Sequence, residues 1–177
     1  MTTTGHSNAV DRSQLDRTIR EAEGYLELGM HEHALAALQR RGKLVHASGR
    51  ACYLLGETLR ELKQFHEAVF PLRRAATLLA EDMRVWLALG WCYKRTGRLD
   101  DAIDSLLEAL VYDPDEAILH YNLACYWSLA GDRSHALDHL AKAFHLDATF
   151  RDLAPGEPDF DFLREDRGFQ LLTSVIV

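Results

Sequence analysis

"RVWLALGWCYKRTGRLDDAIDSLLEALVYDPD", residues 84–115, contains two apolar runs separated by Gly97. In each run the apolar residues recur at spacings of three and four, which is typical of a helix that buries one face. Gly97 favours a break between the runs, because glycine readily adopts the positive φ found where helices end. The second run stops before Pro114, since proline disfavours helix at the residue before it. The stretch therefore predicts two antiparallel helices joined by a short turn.

The same pattern recurs along the chain at an interval of thirty-four residues. Small residues at fixed places let two helices pack closely, because larger side chains would overpack the contact. The equivalent positions are Ala34, Ala68, Ala102 and Ala136; Leu38, Leu72, Leu106 and Leu140; and Gly29, Lys63, Gly97 and Gly131.

This arrangement resembles the tetratricopeptide repeat, a helix-turn-helix unit of the same length. The signature positions of the third unit are filled by Trp86, Leu89, Gly90, Tyr93, Gly97, Ala102, Leu106, Ala109 and Pro114. The resemblance implies an all-α, right-handed solenoid of four repeats within residues 15–150, preceded by a flexible N-terminus at 1–14. The four units are placed at 15–48, 49–82, 83–116 and 117–150.

Departures from the repeat mark the ends of the array and one helix inside it. Glu21 and Arg41 stand in the first unit where apolar or small residues are expected, as in an end repeat with one face in solvent. Pro71 lies inside the second helix of unit two, where it should bend the helix.

Residues 151–177 do not repeat, and we predict a helical C-terminal cap; the alternative is a partner-binding tail. Its apolar covering residues would be Phe160, Phe162, Leu163, Phe169 and Leu172.

Composition narrows the functional classes. The net charge of −7 and the pI near 5.7 argue against nucleic-acid binding, which favours a basic face. No run of eighteen apolar residues exists, so no membrane insertion is expected, and the N-terminus lacks the features of a signal peptide. Three cysteines without a CxxC pair predict buried apolar residues in a reduced, cytoplasmic setting. The C-terminal segment resembles tails that follow such repeats in bacterial proteins.

One histidine pair has the spacing of two metal ligands on a helix. "HALDH" places His135 and His139 one helical turn apart and resembles the inverted zinc-peptidase motif, with Asp138 where the glutamate belongs. Asp is shorter than Glu, no third ligand stands at a motif spacing, and the interleaved Ala136 and Leu140 are repeat packing positions. We therefore predict no enzyme, no bound metal and no cofactor, with a metal-dependent hydrolase as a remote alternative.

The first helices of tetratricopeptide units line a concave groove in such solenoids. Aromatic side chains interleaved with arginine and lysine suit a peptide, because Trp, Tyr and Arg commonly supply binding hot spots. The alternative is that Trp91 and Tyr121 pack against each other or against the C-terminal segment. The predicted partner-binding groove consists of Arg50, Tyr53, Arg84, Leu87, Trp91, Lys94, Arg95, Ile118, Tyr121 and Asn122.

The resemblance therefore implies a protein–protein interaction scaffold or adaptor that binds a peptide or protein segment in this groove. A second reading is a class II chaperone of type III secretion, because those chaperones are similarly short, acidic, cytoplasmic and built of tandem tetratricopeptide units. They hold an apolar translocator segment. A further option is that the partner is a second copy of this chain, which would form a homo-oligomer.

Overall fold

The computed structural model describes residues 3–174, with side chains from residue 11 onward, and within that part of the chain it has helices and no strand. The all-α class is as predicted. Residues 1–2 and 175–177 of the two predicted terminal segments lie outside the described residues. The α-helices are α1 Thr3–Glu27, α2 His31–Gln39, α3 Gly49–Glu61, α4 Phe65–Leu78, α5 Met83–Arg95, α6 Leu99–Tyr112, α7 Ala117–Leu129, α8 Arg133–Leu146, α9 Thr149–Leu153 and α10 Arg167–Thr173. Short 3-10 helices lie at Gly42–Ala47, Ala154–Gly156 and Pro158–Leu163.

The helices group into two compact units, Met1–Thr96 and Gly97–Val177. In the first unit consecutive helices pack in the order α1, α2, α3, α4 and α5, and the first helices α1, α3 and α5 also touch in sequence. In the second unit α7 packs between α6 and α8, and the segment after α8 covers parts of both α7 and α8. No helix among the described residues is long and apolar enough to cross a membrane.

The turns inside the repeats follow the predicted glycine register. Gly29, Gly97 and Gly131 have φ of 68°, 76° and 78°, in the left-handed region that glycine enters without a steric penalty. Lys63, which replaces glycine in the second repeat, adopts the same conformation with φ of 60°. The turn geometry is therefore kept where the sequence signal is missing.

Close helix packing at the small positions is seen directly between α3 and α4. A Cβ atom added to Gly56 would lie 2.4 Å from Cγ of the buried Leu72. Such a distance is far below van der Waals contact, so the repeat requires glycine here for the two helices to approach. Pro71, beside this contact, is buried within α4, and the helix continues through it.

Two segments at the boundaries of the first repeat are helical. Residues 3–14, predicted to be flexible, belong to the N-terminal half of α1, which contains no proline. The Arg41 guanidinium, from a position that departs from the repeat pattern, donates to Thr18 Oγ1 at 2.8 Å and to Gln14 Oε1 at 2.9 Å. These bonds tie α1 to the chain after α2. The segment that follows forms the 3-10 helix Gly42–Ala47, whose Val45 enters the core.

The cysteines are buried and free, as predicted for small apolar residues. Burial raises the pKa of the Cys52 thiol, and it raises that of Cys92 to about 12. Both therefore stay protonated near neutral pH.

Candidate partner-binding surface

Most of the predicted groove residues lie in the first compact unit, on the neighbouring helices α3 and α5. We call this set the α3–α5 surface. It is formed by Arg50 and Tyr53 on α3 and by Arg84, Leu87, Trp91, Lys94 and Arg95 on α5.

Arg50 is bound by an acidic residue of the preceding repeat. Its guanidinium approaches Glu23 Oε1 at 2.7 Å from Nε and 2.5 Å from Nη2. Glu23 lies on α1, so this pair links the first helices of two successive units. The arginine remains largely exposed, and its charge is compensated. Arg50 belongs to the predicted groove; its pairing with Glu23 is seen only in the structure.

Arg84 lies beside Tyr53 on the adjacent helix, with its guanidinium carbon 5.7 Å from the ring centroid. Asp82 holds that guanidinium through two hydrogen bonds of 2.9 and 2.7 Å, and it also accepts the Arg84 backbone N–H as the N-cap of α5. These contacts lower the pKa of the Asp82 carboxyl. Burial, with Glu57 adding to it, raises the pKa of Tyr53 to about 12. Tyr53 therefore offers a neutral hydroxyl and an arginine-flanked ring.

Trp91 is the large apolar side chain that the α3–α5 surface leaves open, with 37% of its surface exposed. Lys94 Nζ lies 5.1 Å from its ring centroid, within range of a cation–π contact. Arg95 places its guanidinium carbon 5.1 Å from the ring of Phe65, at the start of α4. Leu87 is half-buried. The tryptophan thus stands beside the Lys94 cation.

Carboxylates form ion pairs with three arginines on or beside this surface: Arg50, Arg84 and Arg60. Arg60, about two turns after Tyr53 on α3, is held by Glu57 at 2.9 and 3.0 Å and by Glu61 at 2.6 Å. Together with Glu23 and Asp82, these acids make the surface a mixture of compensated charges around aromatic rings.

The other predicted groove residues, Ile118, Tyr121 and Asn122, lie on α7 in the second unit. Asn122 uses its Nδ2 within the helix, donating to the Ile118 carbonyl at 2.9 Å. Tyr121 is only 7% exposed. Phe150 stacks on its ring at 4.7 Å, and Phe160 meets its face edge-on at 5.7 Å. The expectation of an exposed Tyr121 is therefore wrong, because the C-terminal segment packs over it. The "FDF" sequence was a signal for such a cover.

The histidines of "HALDH" face different partners. His135 Nδ1 lies 2.8 Å from Asp132 Oδ2, and its ring stacks on Trp127 at 4.6 Å. His139 instead pairs with His120 of α7, with 2.8 Å between their Nδ1 atoms. Within the described part of the chain, no cluster of three or more His, Cys, Asp or Glu side chains has the arrangement of a metal site.

Comparison with known proteins agrees with this architecture. The tetratricopeptide repeat family matches residues 83–116 and, in a second form of the repeat, residues 49–78. Residues 49–78 and 83–116 are therefore tetratricopeptide repeats. Both matches fall in repeats that supply the α3–α5 surface.

Among solved tetratricopeptide structures, YrrB is described as having an unusual peptide-binding site, and it is 26% identical with a TM-score of 0.67. That similarity covers 72% of this chain and 66% of YrrB. A MamA structure from AMB-1 is 27% identical with a TM-score of 0.68, covering 74% of this chain and 72% of the other.

A curated relative, the BBSome complex member BBS4 of Bos taurus, is 28% identical over 134 residues. Superkiller protein 3 of Schizosaccharomyces pombe is 29% identical over 80 residues. The alignments cover 76% and 45% of this chain, and only 26% and 6% of those relatives. This chain therefore matches a small part of each.

Proposed function

We propose that this protein is an adaptor that binds a peptide or protein segment on the α3–α5 surface. The observation that carries the proposal is Trp91, a tryptophan partly open to solvent and flanked by Lys94, on the same helix as Arg84. Tryptophan supplies a large contact area at low cost in conformational entropy. The peptide-binding site named for the similar YrrB structure supports the same class of ligand.

The compensated charges favour an adaptor over a secretion chaperone. A translocator segment is apolar and needs an apolar groove, whereas the α3–α5 surface carries the ion pairs Arg50–Glu23, Arg84–Asp82 and Arg60–Glu57. A mixed-charge peptide can exchange partners with such pairs, while an apolar segment would remove both charges of each pair from water and so incur their desolvation penalty.

The test compares three aromatic variants by pull-down from the native cell and by thermal melts. Trp91→Ala should lower affinity for the co-purified partner by about 2 kcal/mol or more, as a hot-spot truncation does, with little change in melting temperature. Phe70→Ala is the matched control, because Phe70 lies on α4 and is 67% exposed. It should retain the partner.

Trp86→Ala gives the third arm. Trp86 is half-buried and its indole N–H donates to the Ala80 carbonyl at 2.7 Å, so Trp86→Ala leaves that carbonyl without its partner and should lower stability by about 1–3 kcal/mol. If Trp91→Ala melts as early as Trp86→Ala, or keeps every partner that the wild type recovers, the tryptophan is a packing residue and the proposal is wrong.

A further inference from the structure

The inner positions of α7 differ in chemistry from those of the two preceding repeats. We call Ile118, Tyr121, Cys125 and Ser128 the α7 face. The equivalent positions are Arg84, Leu87, Trp91 and Lys94 on α5, and Arg50, Tyr53, Glu57 and Arg60 on α3. Charged side chains thus give way to apolar and small ones on α7. A helix that is apolar on nearly all sides is normally buried by neighbouring segments.

The cover comes from the C-terminal segment. The 3-10 helix Pro158–Leu163 packs on α7, and the Phe160 ring is fully buried against Tyr121. On the neighbouring helix α8, Arg133 forms an ion pair with Asp166, including a hydrogen bond of 3.1 Å from Nη2 to Oδ1. The segment is therefore held at two places. The Phe160 ring fills an aromatic slot beside Tyr121 on α7, and Asp166 pairs with the Arg133 cation on α8.

The remaining attachments of this segment are weak. Its backbone forms short 3-10 turns, whose hydrogen bonds have poorer geometry than those of an α-helix. The guanidinium of Arg133 is more than half exposed, and exposed ion pairs typically contribute about 0–1 kcal/mol. Phe162, two residues after the buried ring, is 62% exposed. Within residues 157–163 the buried apolar side chains are Phe160, whose ring also lies 5.5 Å from that of Phe169, and Leu163.

We propose that the α7 face is a second peptide-binding site, for acidic peptides that carry a phenylalanine, and that residues 157–166 occupy it as an internal competitor. An incoming phenylalanine takes the slot of Phe160, and an incoming carboxylate takes the place of Asp166 on Arg133. The apparent affinity for such a peptide is reduced by the fraction of molecules in which the segment is released. The site lies in the second compact unit, so it does not rest on the proposed function of the α3–α5 surface.

The experiment measures fluorescence anisotropy of a labelled peptide, PGEPDFDFLREDRG (residues 155–168), mixed with the full chain. Phe160→Ala empties the slot, so this variant should bind the peptide at least about tenfold more tightly than the wild type, because the competent fraction rises. Phe162→Ala is the matched control: it removes an exposed ring from the same segment and should bind as the wild type does. A labelled peptide with alanine in place of Phe160 should not bind any of the proteins.

A second variant covers the case in which Phe160→Ala does not fold, as judged by circular dichroism. Asp166→Asn leaves the aromatic packing, keeps a side-chain oxygen that can cap α10 at the Gly168 and Phe169 N–H groups, and weakens the ion pair, so the peptide should bind up to about fivefold more tightly. Trp91→Ala should leave this binding unchanged, whatever its effect on other partners. If folded Phe160→Ala, or in its absence Asp166→Asn, binds the peptide no better than the wild type, the segment is a permanent part of the core and the proposal is overturned.

Discussion

Lys63 shows at the scale of one residue how the repeat geometry constrains the backbone. It has a φ of 60° in the turn between α3 and α4, where the equivalent residues of the other units are glycines. The left-handed backbone conformation costs a residue with a Cβ atom about 1–2 kcal/mol, whereas glycine adopts it without this steric penalty. The flanking helices nevertheless impose the conformation, because they pack against each other on either side of the turn.

Lys63→Gly should therefore raise the free energy of unfolding by about 0.5–1 kcal/mol, the steric relief less the entropy that a glycine loses on folding. Urea denaturation measures this change. Lys63→Ala is the control, since it removes the charge and keeps the Cβ atom; it should leave stability close to that of the wild type. Equal stabilisation by alanine and glycine would mean that the charge, not the backbone, is responsible.

At the scale of helices, the α3–α4 pair depends on the contact between Gly56 and Leu72. Gly56→Ala should destabilise the protein by about 1–3 kcal/mol, because the new methyl group overlaps the leucine. Leu72→Ala alone leaves a cavity and should cost about 2–5 kcal/mol. The double variant should be less destabilised than the sum of the two, since each change relieves the other. Additive losses in a denaturation series would show that the two positions do not share one contact.

The α7–α8 pair contains a histidine pair that should make it sensitive to acid. His120 Nε2 faces the Pro114 carbonyl at 3.0 Å, so this nitrogen carries the proton and Nδ1 accepts from His139 Nδ1–H. Burial lowers the pKa of His120, and burial together with the neighbouring histidines lowers the pKa of His139 to about 4. The other charged groups facing the pair are Lys142, Asp115 and Asp138.

Because both folded pKa values lie below the unfolded value of about 6.5, the unfolded state binds more protons as the pH falls. Stability should therefore decrease below pH 6.5, by up to about 1.4 kcal/mol per pH unit for each histidine, until the folded pKa is reached. His139→Gln should flatten this dependence between pH 6.5 and 5 in urea melts. His66→Gln, an exposed histidine on α4, is the control and should keep the wild-type slope. A His139→Gln slope as steep as that of the wild type would contradict the assignment.

At the scale of the whole molecule, the net charge of −7 opposes association with nucleic acids. Nonspecific DNA binding at physiological salt typically has a Kd of about 10⁻⁴ to 10⁻⁶ M and depends on a basic face. Anisotropy of a labelled duplex should show no binding at protein concentrations up to about 100 μM, and lowering the salt should not restore it. Salt-dependent binding in the micromolar range would reveal a local basic surface strong enough to overcome the overall charge.

The sequence by itself determined the repeat. Spacings of three and four within each helix and a turn residue such as Gly97 are local requirements of helix geometry. A small residue such as Gly56 is required by the contact between neighbouring helices of one repeat, so the repeat displays it at a fixed position. The same register placed Trp91 and Tyr53 on equivalent faces of their helices. Local spacing predicts a face well, because every residue in a helix points in a direction set by its neighbours.

Only the tertiary structure decided which of those faces stays open. Trp91 remains partly exposed, while Tyr121, at the groove position that Tyr53 fills in the second repeat, lies beneath Phe150 and Phe160. The pairing of Arg50 with Glu23 was equally hidden. These contacts join residues far apart in the chain, and the covering segment lies outside the repeats. Periodicity fixes the direction in which a side chain points; what it meets there depends on how distant segments pack.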